Sequence, residues 1–207
     1  VKRLERLFRS VPPHTLGGLL EDCAGLESTQ RAVVSQALSV VGTRIVHLLR
    51  PLCENASEAE AARLLNQLVF IGDKTVAPLM SQLLRRIDQA QVTLLEAALK
   101  VLGATGDRAF VASVEPYLTH ASAPVRMAAA NAVGTLGGTL ACEHLDRVIK
   151  QRSIGDDERK AALTALASIN SEEARRRLRK FARAGIFGGL PEPLRVHAAA
   201  LLETPNA

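Results

Sequence analysis

The stretch "APVRMAAANAVGTLGG", Ala123 to Gly138, decides how the rest of the chain reads. It is a helix-forming run with a single charge, Arg126, and with alanines at Ala128, Ala129, Ala130 and Ala132. A proline stands second and glycines close it, the usual asymmetry of helix start and stop. A helix this poor in charge is covered on more than one side. Small side chains let the covering helices come close.

Aligning the chain on Gly137 brings four other segments into register. They are "QRAVVSQALSVVG" ending at Gly42, "AARLLNQLVFIG" at Gly72, "VTLLEAALKVLG" at Gly103 and "RKAALTALASIN" at Asn170, spaced 30, 31, 34 and 33 residues apart. Four positions before each end stands Leu38, Leu68, Leu99, Val133 or Leu166. Directly before it stands Val41, Ile71, Leu102, Leu136 or Ile169, and eight before it Val34, Leu64, Leu95, Ala129 or Ala162. This is helical spacing. Gly or Asn just past a helix predicts a left-handed residue that caps its last carbonyls.

A second apolar-periodic segment comes after each cap: "TRIVHLLRPL", "DKTVAPLMSQLL", "DRAFVASVEPYL", "TLACEHLDRVI" and "SEEARRRLRKF". The repeating unit is helix, tight turn, helix, polar link, a length that signals a stacked helical array. Pro78 falls early enough in its helix to be tolerated, whereas Pro51 and Pro116 predict bends. Ala104 to Gly106 reads as a three-residue insertion in the third turn. The predicted fold class is all-α, a right-handed α-solenoid of five to six helical hairpins. The units run over about 28–56, 57–88, 89–122, 123–155 and 156–190, with a partial sixth at 191–207. Residues 1–27 lie outside the register and form N-terminal capping helices, because a terminal repeat needs a polar outer face. The basic amphipathic "KRLERLFRSV" also suits an anionic membrane surface or a partner's groove.

Composition agrees with a helical core of aliphatic side chains. Of 207 residues, 47% are hydrophobic and 3% aromatic, with no Trp, so disorder is excluded and Leu, Ala and Val fill the interior. Cys23, Cys53 and Cys142 lie far apart, which supports neither a disulfide framework nor zinc-finger spacing. No apolar run approaches the roughly 18 residues of a membrane span, and no signal peptide is legible, so a cytoplasmic location is expected. A chain beginning with Val reads as a part excised from a larger bacterial protein.

"APVRMAAANAVGTLGG" and "EPLRVHAAALLE" resemble HEAT repeats, especially the short bacterial HEAT-like type with a Pro-Val-Arg opening, similar to the repeats of bilin lyases. The resemblance covers about residues 28–204. It weakens where Ala61 and Val92 replace the arginine found at Arg31, Arg126, Arg159 and Arg195. It implies that these arginines form a structural ladder between neighbouring repeats and that the second helices line a concave face, so the expected function is a protein-binding scaffold or regulatory module.

Catalytic chemistry finds little support. His14, His47, His120, His144 and His197 occur singly, without the HExxH spacing that aims two imidazoles at one metal. In "CEHLD", Cys142 and Asp146 share a helix face while His144 points away, so the segment reads as a solvated face. Gly17–Gly18, Gly137–Gly138 and Gly188–Gly189 spell no phosphate loop. HEAT-like hydroxylases need His-Glu dipeptides and HEAT-like glycosylases need aromatic clefts, neither of which is present; a bilin-lyase-like enzyme stays open as an alternative. No cofactor, metal or catalytic residue is assigned.

The remaining signal is charge. The net charge is +5, and cations gather on the second helices at Arg85, Arg147, Lys150, Arg175, Arg176, Arg179, Lys180 and Arg183. Counted from each cap, Arg147 matches Lys180, and Arg85 matches Lys150 and Arg183. The expected partner is another protein with an acidic surface, steered by this basic ridge. Nucleic-acid binding through phosphate is the alternative, and plain solubilising charge accounts for the same residues equally well.

Overall fold

The computed structural model describes residues 57–69, 74–183 and 189–203. The N-terminal segment 1–27, the unit 28–56, the caps at Gly42 and Gly72, Arg31, Pro51 and Gly188 lie outside the described residues. Within them the secondary structure is helical, with no strand. The fold class is all-α, built of HEAT-like helical hairpins. The chain divides into two compact units, Val1–Thr105 and Gly106–Ala207.

In the first unit, α1 (Glu58–Leu68) packs along α3 (Val92–Ala104), and α2 (Ala77–Leu84) also packs on α3. Ala61, Leu65, Ala77, Leu95, Ala98, Leu99 and Leu102 are fully buried. The starts of α1 and α3 are tied by Glu58, whose carboxylate accepts from the Thr93 backbone N–H at 3.0 Å and from the Thr93 hydroxyl. Pro78 sits in the first turn of α2, where its missing N–H costs nothing.

The second unit holds α4 (Val111–Val114), α5 (Ala123–Leu136), α6 (Thr139–Lys150), α7 (Asp156–Ser168), α8 (Glu172–Ala182) and α9 (Glu192–Glu203). α5, α7 and α9 pack in sequence as one layer. α6 lies on α5 and α7, and α8 on α7 and α9. The bend expected at Pro116 is a change of helix type: α4 lasts one turn and gives way to a 3₁₀ helix at Glu115–Thr119.

The alanines of α5 are buried as its composition predicts, with Ala129 at 0% exposure. The tightest approach, however, is made by Gly134. A Cβ added there would lie 2.6 Å from the Ala165 carbonyl oxygen and 2.9 Å from that residue's Cα and Cβ. Two arginines of the predicted ladder tie repeats together. Arg126 donates to the carbonyls of His120 and Ala121 behind it, at 2.6 and 2.7 Å, and grips Glu158 of the next repeat at 2.5 and 2.8 Å. Arg159 donates to the Ile149 carbonyl at 2.9 Å and pairs with Asp156 at 3.2 Å.

The cap positions divide. Asn170 has φ 47°, the left-handed residue expected, and Gly137 and Gly138 have φ 72° and 92°. The two glycines combine positive φ with ψ near 180°, a region open only to glycine. Gly103 corrects the reading of the third turn. It is buried inside α3, and the left-handed residue is Gly106, at φ 62°. The helix runs one residue further, to Ala104, and buried Thr105 ends it, its hydroxyl donating to the Leu102 carbonyl at 2.7 Å.

Candidate binding groove

In α8 the sequence "EEARRRLRKFA" sorts cleanly by helical period. Ala174, Leu178 and Phe181 are buried, while Arg175, Arg176, Arg179 and Lys180 are exposed. The Ser171 hydroxyl accepts from the Ala174 N–H at 3.1 Å, and Glu172 and Glu173 occupy the first turn. Cap and charge order both favour the helix. The sequence therefore places all its arginines after the acidic start, with Arg175, Arg176 and Arg179 exposed and Arg177 half-buried.

A groove of about 580 Å³ opens beside α8 and the end of α6. Six cations line it, Lys150, Arg176, Arg177, Arg179, Lys180 and Arg183, against two acids, Asp146 and Glu173. The acids are threaded on a chain of alternating charge. Lys150 pairs with Asp146, Arg177 reaches Asp146 at 3.5 Å and Glu173 at 2.7 Å, and Arg176 pairs with Glu173. Hydrogen bonding from Arg177 holds the Glu173 carboxyl below the usual carboxylate range. Lys150 also lies 5.9 Å from the centre of the Phe181 ring. Arg179 pairs with Glu172 at 3.5 Å. Lys180 and Arg183 have no carboxylate within ion-pair distance among the described residues.

Of the predicted ridge, Lys150, Arg176, Arg179, Lys180 and Arg183 meet at this groove. Arg175 turns to Asn170 at 3.1 Å and Glu172 at 4.0 Å. Arg147 turns to Glu115 at 3.4 Å and to the His144 ring at 2.7 Å. Arg85 is exposed at the end of α2, in the other unit. The sequence reading omitted Arg177, Asp146 and Glu173. The four-residue spacing of Glu173 and Arg177 was the available signal for that pair.

The segment "CEHLD" corrects a second expectation. Cys142, His144 and Asp146 are buried, and only Glu143 is exposed. α6 touches α5, α7 and α8, so more than one of its faces is covered. His144 does point away from the other two, toward Glu115 at 3.1 Å. Burial pushes its pKa down, against the pull of Glu115. Burial likewise pushes the Cys142 thiol up, favouring its neutral form. Among the described residues no group of three or more His, Cys, Asp and Glu is arranged to hold a metal ion. No helix there is long and apolar enough to cross a membrane.

The family profile of HEAT repeats matches residues 86–167. Among solved structures, the chain is similar to one from the complex of CpcE and CpcF of phycocyanin lyase from Nostoc sp. PCC7120, at 22% identity and a TM-score of 0.42, covering 82% of this chain and 71% of that one. No curated protein matches the sequence. Over residues 86–167, then, the chain is similar in sequence to HEAT repeats.

Proposed function

We propose that the protein is an interaction module that takes an acidic segment of a partner protein in the groove beside α6 and α8. Stacked helical repeats present extended surfaces suited to protein partners. The observation that carries the reading is the pair Lys180 and Arg183, without a carboxylate partner among the described residues, on a groove wall where the other four cations have one. An incoming carboxylate meets two cations that give up no internal ion pair to bind it. The reading assigns recognition to the chain and no bond-making step.

The test is a titration of the whole chain with poly-glutamate, monitored by fluorescence anisotropy at low and at physiological salt. Wild type is expected to bind, more weakly as salt rises. Lys180→Glu combined with Arg183→Glu is expected to weaken binding at least about tenfold, corresponding to about 1.4 kcal/mol. Equal binding by both proteins would remove the groove from the function.

A further inference from the structure

The groove's two acids restrict what kind of polyanion it accepts. Both line the groove with the cations, Asp146 buried and Glu173 with a side chain 25% exposed. A ligand with unbroken negative charge would bring anion against anion, most directly at Glu173, the more exposed of the two. Duplex nucleic acid is such a ligand, carrying one charge per about 1.7 Å of axis. A peptide can interrupt its charge.

Spacing then selects the peptide. Arg179 and Lys180 stand three and four residues after Arg176 along α8, and Arg183 follows as the extended residue that ends the helix. Such intervals on a helix set neighbouring Cβ atoms about 5–6 Å apart. In an extended chain, residues i and i+2 point to the same side at about 6.4–6.8 Å, with the residue between them turned away. The long stems of Lys and Arg absorb the small difference. Resting on the acidic-partner reading above, we propose that the groove is keyed to an extended peptide with acidic residues at alternate positions. Its carboxylates lie on Lys180, Arg183 and the neighbouring arginines, and its neutral residues offer no charge to Asp146 and Glu173.

Two fluorescent peptides of identical composition test this, one alternating Glu with Gly or Ser and one with its Glu residues in a single block, beside a short DNA duplex. The intact chain is expected to bind the alternating peptide about tenfold more tightly than the block peptide, and the duplex more weakly than either. Glu173→Gln, first checked by thermal melting to be folded, is expected to narrow the gap between the two peptides and to tighten duplex binding several-fold. Equal affinity for both peptides would overturn the spacing proposal while leaving an acidic-peptide groove in place. Duplex binding without peptide binding, or no binding at all, would overturn the underlying reading as well.

Discussion

At Gly134, α5 and α7 approach so closely that the absence of a side chain is a packing requirement. Gly134→Ala sets a methyl within 2.6 Å of a backbone oxygen, and a backbone cannot swing aside as a side chain can. The expected loss is about 1–3 kcal/mol, the usual cost of overpacking, read as a lowered urea midpoint. Gly106→Ala is a useful contrast, since its Cβ would meet nothing within 4 Å and only the positive φ of 62° resists it. Its cost is expected near 1 kcal/mol, from the backbone alone. Glu158 gives the pH counterpart. Its carboxyl is held below the ordinary range by the hydrogen bond from Arg126, and the side chains of the pair are 12% and 19% exposed. A depressed folded pKa contributes stability that is complete above the unfolded value of about 4.3 and disappears as pH falls through the folded one. Glu158→Gln should therefore cost about 1–3 kcal/mol at pH 7. The gap from wild type should close below the folded pKa, as urea titrations across that range would record.

Among the elements, α8 depends on its start. Ser171→Ala removes the acceptor for the Ala174 N–H and should cost about 1 kcal/mol. Faster amide exchange in the first turn of α8, with the rest of the unit unchanged, is the expected signature. The existence and order of the described helices were legible because apolar positions at helical spacing, ended by Gly137 or Asn170, leave no other element type available. Gly103 misled because a glycine caps a helix only where the chain leaves it, and here Thr105 closes the last turn with its hydroxyl and Gly106 takes the left-handed position. "CEHLD" misled for a different reason. A helical wheel tells which residues share a face but not how many faces are covered, and contact with α5, α7 and α8 buries sides of α6 that an isolated helix would expose. The groove was legible as cations on α8 and not as a shape. Arg177 meets Asp146 from another helix, at a separation that no local pattern encodes.

For the molecule, stacking makes stability a matter of neighbours. In the second unit α7 lies between α5 and α9, while α9 meets α7 and α8. Leu166 in α7 and Leu194 in α9 are both at 0% exposure, so truncating either removes a comparable transfer term, about 2–5 kcal/mol with its cavity. Their consequences should still differ in reach. In a repeat array each layer is held by intrinsic and nearest-neighbour terms, and loosening a central layer weakens the interfaces on both of its sides. Leu166→Ala should therefore raise amide exchange in α5 and α9 as well as in α7, whereas Leu194→Ala should raise it in α9, α7 and α8 and leave α5 protected. Hydrogen exchange resolved by peptide gives the comparison directly. If α5 loosened equally in the two variants, the unit would be unfolding as one undivided core, and additive stacking would not describe it.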